Sequence, residues 1–129
     1  MNTLELIEEA LTGNLKRFSV LMAVEHNELL QASKTIPVLL LTRLSVLNVL
    51  NEIKGTDIAI EIVQGWASFV MRGYIATNAS EPIVPIQIDY ESEYEDSIVD
   101  VLSRLDELGD AVDGAIDETE LNSLIHSLA

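Results

Sequence analysis

Residues Thr35 to Gly55 read TIPVLLLTRLSVLNVLNEIKG. Thr35 offers an N-cap hydroxyl and Pro37 stands where a helix's first turn can spare an N–H, so the pattern predicts a helix from Val38 to Ile53. That helix is apolar nearly all round and needs neighbours on every side. The flanking sequence supplies them. Upstream, Leu4, Leu6, Ile7, Ala10 and Leu11 form a stripe that stops near Gly13. Leu15, Phe18, Leu21, Met22, Leu29 and Leu30 then recur mostly at helical steps to about Lys34, with Glu25, Asn27 and Glu28 on the polar side. Downstream, Gly55 closes the central segment and Thr56 and Asp57 can cap the next helix. Its face is Ile58, Ile62, Trp66, Phe69 and Val70, stopped by Gly73. Trp66 and Phe69 suit a core better than a ligand site, since they lie on this apolar stripe.

Asn78, Ser80, Pro82 and Pro85 interrupt the helical period, and Ile83, Val84, Ile86 and Ile88 predict an extended segment near residues 75–89. Helical spacing returns from Ser97 to Leu108 through Ile98, Val101, Leu102 and Leu105. Asp117, three residues before Glu120, then predicts a cap for a last helix bearing Leu121, Leu124, Ile125 and Leu128. The expected fold is all-α: one compact helical domain over residues 1–129, a bundle of about five to six helices packed by ridges into grooves.

Of 129 residues, 48% are hydrophobic, which suits a globular chain, and the net charge is −15. Residues 1–80 carry 8 acids and 6 bases, whereas residues 81–129 carry 14 acids and a single base, Arg104. One end or face must therefore be strongly negative. Direct binding to nucleic acid or to anionic lipid is excluded as an expectation, because both use clustered Lys and Arg. Cysteine is absent, which removes disulfides, thiolate zinc sites and cysteine nucleophiles. The acidic opening Met1-Asn2-Thr3-Leu4-Glu5 does not read as a signal peptide, and the apolar run from Ile36 to Leu50 is too short to span a bilayer and contains Arg43. The expectation is a soluble, cytoplasmic protein.

Gly109 to Glu120 resembles a calcium-binding EF-hand loop. Asp113, Gly114, Ile116, Asp117 and Glu120 fall on its fifth, sixth, eighth, ninth and twelfth positions. Gly109 and Ala111 stand where the first and third carboxylates belong, so no metal site is assigned and the segment is read as a turn before a capped helix. His26 and His126 come with no nucleophile motif or phosphate-binding loop, so neither catalysis nor a cofactor is expected.

The aromatic and acidic run Asp89, Tyr90, Glu91, Glu93, Tyr94, Glu95 and Asp96 differs from these. Tyrosine supplies rigid contact area, and the carboxylates around it attract Lys and Arg of a basic protein. With Asp100, Asp106, Glu107 and Asp110, which keep the following segment acidic, these are the expected partner-binding residues.

Leu6-Ile7-Glu8-Glu9-Ala10-Leu11-Thr12-Gly13-Asn14-Leu15, Gly65-Trp66-Ala67-Ser68-Phe69-Val70, and Leu102 to Leu108 with Ile116-Asp117-Glu118-Thr119-Glu120-Leu121 resemble small helical bacterial immunity proteins. Those of the colicin type and of contact-dependent growth inhibition systems are meant. The resemblance implies a non-enzymatic inhibitor that binds a cognate toxin domain, often a basic nuclease; the expected solubility points to a monomer when free. The residues also leave open an acidic nucleic-acid mimic that inhibits a DNA-binding enzyme, a divalent-metal-binding helical domain, and a small helical enzyme.

Overall fold

A computed structural model describes residues 3–24, 26–73, 86–108 and 116–129. The chain is an all-α bundle carrying one small sheet. Its elements are α1 (Thr3–Leu11), α2 (Leu15–Met22), α3 (His26–Thr35), β1 (Leu39–Leu41), α4 (Arg43–Gly55), α5 (Ile60–Arg72), β2 (Ile88–Tyr90), a single 3-10 turn (Ser92–Tyr94), α6 (Glu95–Asp106) and α7 (Glu118–Leu128). α1 packs on α2 and α3, α2 on α5, α5 on α6, and α4 on α6 and α7.

One apolar cluster joins these helices. Trp66 lies at its centre, fully buried, and its indole N–H donates to the Ala10 carbonyl at 2.8 Å. That carbonyl belongs to the last turn of α1, where helix carbonyls lack intrahelical partners, so the tryptophan fills the core and ties α5 to α1. Phe18 of α2 meets Phe69 of α5 with ring centroids 5.8 Å apart. The expectation that Trp66 and Phe69 are core residues holds.

The long second helix expected from Leu15 to Lys34 is instead two, α2 and α3. Phe18 and Leu21 are buried, and an unbroken helix would carry Glu25 onto the same stripe, at i+7 and i+4. α2 instead ends at Met22, and Leu29 of α3 joins the core. The central helix also starts later than expected. Thr42, not Thr35, is its N-cap, with the hydroxyl accepting from the Ser45 N–H at 3.3 Å. Pro37 biases Ile36 towards extended backbone. The three leucines that follow are half-buried, exposed and buried in turn, the period of a strand. Thr56 and Asp57 do not cap the next helix. Thr56 terminates α4, its hydroxyl bonding to the Glu52 carbonyl at 2.8 Å, and α5 begins after Ala59 with no side-chain cap.

The expected extended segment is observed at its C-terminal end, where β2 pairs in parallel with β1 in the register Leu39 with Ile88, Leu40 with Asp89 and Leu41 with Tyr90. Residues 75–85, including Ile83 and Val84, lie outside the described residues. The parallel pairing needs a long crossover, and α4 and α5 provide it. Gly73 ends α5 at a φ of +77°, and its carbonyl accepts from the Ile86 N–H at 2.7 Å. A Cβ there would collide with the Ile86 backbone, so glycine is required for the strap to dock on the helix end. α6 begins at Glu95, two residues ahead of the expected Ser97, and α7 is capped as expected by Asp117, which accepts from the Glu120 N–H at 2.7 Å.

Candidate functional site

The acidic run expected to bind a partner passes through β2, the 3-10 turn and the first half of α6. Alternation along β2 leaves Asp89 exposed between half-buried Ile88 and Tyr90. Burial, followed by the nearby charge of Glu95, pushes the Tyr90 hydroxyl above its ordinary pKa of 10.0. Glu91 is half-buried and structural. Its carboxylate accepts from the Arg43 N–H at 2.9 Å, the first residue of α4, where a negative charge also complements the helix dipole. The Arg43 guanidinium lies 4.8 Å from the centroid of the Tyr94 ring and donates to the Leu128 carbonyl at 3.1 Å. Arg43, Glu91 and Tyr94 together pin the strand, the start of α4 and the end of α7.

Against that framework, Glu93, Glu95, Asp96 and Asp100 are exposed, and no basic side chain among the described residues pairs with them. Burial of Ile98, Val101, Leu102 and Leu105 against the core turns Asp96 and Asp100, one turn apart, outward together. With Asp89 they make a strip of carboxylates held on regular structure.

The remaining expected site residues are engaged otherwise. Asp106 accepts from Arg72 Nη1 at 3.3 Å and Nη2 at 3.1 Å, and from Gln64 Nε2 at 3.4 Å, so it clamps α6 to α5. Glu107 is exposed and lies 3.5 Å from Arg104 Nη1. Asp110 lies outside the described residues.

Arg104 makes a two-pronged pair with Glu120: Nε to Oε2 at 2.6 Å and Nη2 to Oε1 at 3.0 Å. Hydrogen bonding from Arg104, opposed by a smaller burial effect, holds the Glu120 carboxyl below its ordinary value. The glutamate matching the last EF-hand position is thus consumed in joining α6 to α7. Among the described residues, no group of three or more His, Asp or Glu side chains could hold a metal ion. His126 is exposed, and His26 opens α3, where its side chain lies outside the described set.

One feature of this face escaped the sequence reading. Val38, Leu40 and Leu44 are 54%, 58% and 59% exposed, although the expected central helix would have buried much of this stretch. Pro37, which biases Ile36 towards extended backbone, was the sequence signal for it, because the run Val38 to Leu41 is apolar throughout and shows no alternation. Leu40 stands in register with Asp89, so large apolar side chains border the acidic strip. No helix among the described residues is long and apolar enough to cross a membrane.

No family model, curated protein or solved structure matches the chain.

Proposed function

We propose that this protein is a non-enzymatic inhibitor that binds a basic protein through the strip formed by Asp89, Glu93, Glu95, Asp96 and Asp100. Its proposed role is that of a bacterial immunity protein acting in the cytoplasm on a cognate toxin domain. The observation that carries the reading is the exposure of these carboxylates without a basic neighbour among the described residues. The dipole of α6 favours Glu95 and Asp96 in its first turn, but carboxylates left unpaired at a surface also repel one another. A basic partner reverses the sign of that interaction and is steered to the face over a long range. A nuclease offers such a surface because it must attract phosphates, and an acidic inhibitor competes for the same positive charge.

The strip is built for this use. Regular structure holds the acids, and Arg43, Glu91 and Tyr94 lock the strand and turn that present them. Little backbone order then has to be created on binding, which favours affinity.

Co-expression with the toxin domain encoded beside the gene tests the proposal, with growth compared to toxin alone. Rescue is expected, and the combined variant Glu93→Lys, Glu95→Lys, Asp96→Lys should abolish it. With purified proteins the same variant should slow association by about tenfold to a hundredfold at low salt, and the salt dependence should flatten. Toxicity without rescue, or rescue indifferent to charge reversal, overturns the reading. Inhibition of a DNA-binding enzyme by the purified protein would then establish nucleic-acid mimicry in its place.

A further inference from the structure

We infer that the edge of β1 opposite β2 accepts an added strand from the basic partner, an extended segment in which Lys or Arg alternates with apolar residues. The inference rests on the proposed reading that the partner is basic, and it adds where and how that partner docks.

Hydrogen bonding across the sheet sets the direction of each peptide group in β1. The Leu39 N–H donates to the Gln87 carbonyl at 3.0 Å, and the Leu41 carbonyl accepts from the Glu91 N–H at 2.9 Å. In a parallel pair, alternate residues of a strand turn both backbone groups to the same neighbour. Leu39 and Leu41 therefore face β2, and the N–H and carbonyl of Leu40 point to the opposite edge. No backbone or side-chain group among the described residues takes them.

Beside that edge lies a groove of about 290 Å³, lined by Leu39 and Leu40 of β1, by Ser45 of α4, and by Glu8, Leu11 and Thr12 at the end of α1. No residue of β2 lines it, which places it on the side to which the Leu40 backbone points. An unpaired strand edge is an open template for another chain, and proteins protect such edges with lysine, proline or cover. Here Pro37 and the exposed Val38 precede the strand, while Leu40 itself carries no such protection.

Charge selects the occupant. Asp89 shares the register position of Leu40 on the neighbouring strand, Glu8 lines the groove, and no Lys or Arg does. A second copy of this chain carries −15 and would bring its own carboxylates against these. Leu40 and Asp89, being in register, share one face of the sheet, so a strand with alternate basic residues places its charges on that face and its apolar residues on the opposite face, the side of Leu39. Main-chain hydrogen bonds to Leu40 then supply affinity and the alternation supplies specificity, as in other cases of strand addition.

The experiment uses the full chain, isotope-labelled, titrated with a short synthetic peptide alternating lysine and valine. Two controls accompany it: a peptide of equal charge with serine for valine, and the lysine–valine peptide N-methylated at alternate backbone positions. The alternating peptide should bind about tenfold more tightly than the serine peptide, protect the Leu40 amide from hydrogen exchange, and lose both effects on N-methylation. Equal, salt-erasable binding of both lysine peptides with an unprotected Leu40 overturns strand addition and leaves the acidic-face reading standing. Absence of binding by either peptide overturns it as well, whereas the rescue experiment judges that face separately. Concentration-dependent protection of Leu40 without any peptide overturns it in favour of a second copy.

Discussion

Two acidic regions of this chain have similar composition and opposite fates. Between Asp106 and Glu120 most of the carboxylates among the described residues are taken up by the fold: Asp106 holds Arg72 and Gln64, Glu120 holds Arg104, and Asp117 caps α7, while Glu118 is exposed. From Asp89 to Asp100, only Glu91 is used in this way, and Glu93, Glu95, Asp96 and Asp100 face solvent. Net charge treats the regions alike. What separates them is whether the tertiary structure brings a donor within hydrogen-bond reach. A carboxylate so engaged contributes to stability and is withdrawn from binding, and one left unengaged does the reverse.

The contrast is sharpest at Arg104. Its side chain is 17% exposed, and removal in Arg104→Ala strips Glu120 of both hydrogen bonds. Because Glu120 itself is 36% exposed, solvent recovers part of the loss, and destabilisation of about 1–2 kcal/mol is expected in urea unfolding. A smaller change would mean that the two acidic regions differ less than their geometry implies.

Glu91→Ala comes next, at about 1 kcal/mol, since it removes a charged acceptor from the first turn of α4. Glu91→Gln should recover part of that loss by restoring an acceptor without the charge. If instead Glu91→Ala leaves stability unchanged and weakens partner binding, Glu91 belongs with the free carboxylates.

Acidification separates the regions through Glu120. Its carboxyl is held below the ordinary value in the folded chain, chiefly by hydrogen bonding from Arg104. Its contribution is therefore fully present above the unfolded-state value and disappears as pH falls through the lower folded value. The stability gap between the protein and Glu120→Gln should accordingly be widest near neutrality and narrow under acid, measured by urea midpoints across pH. A gap that widens under acid contradicts the assignment.

The smallest effect on folding is expected for Glu93→Gln, Asp100→Asn, which leaves the dipole-favoured acids of the first turn of α6, Glu95 and Asp96, in place. Stability should stay within about 0.5 kcal/mol or rise slightly, because exposed side chains change and like-charge repulsion falls. Thermal melting checks this at low salt. Marked destabilisation would show that the strip serves the fold, and the distinction between the regions would collapse.

Much of the architecture was legible before the structure. The stripe on α5, the stops at Gly13 and Gly73, the spacing on α6 and the Asp117 cap are local signals, and each has the expected counterpart. The region around Pro37 misled because an apolar run can be read as a buried helix or as a short strand. The choice depended on β2, about fifty residues further along the chain, whose backbone satisfies that of β1. The division of α2 from α3 depended on which residues the core could accept. Among the expected site residues, the sequence could not sort Glu91 and Asp106 from Glu93 and Asp96, since their partners Arg43 and Arg72 are distant along the chain.

A helical chain with an acidic C-terminal part and no thiol chemistry follows from residue order alone, because helical period, capping and net charge are local or additive properties. Folding in three dimensions settles which carboxylates are spent on the fold, that Leu40 emerges beside Asp89, and which edge of β1 no other described residue pairs with. Those outcomes depend on contacts between residues far apart in the chain, and such contacts exist only once the backbone has folded.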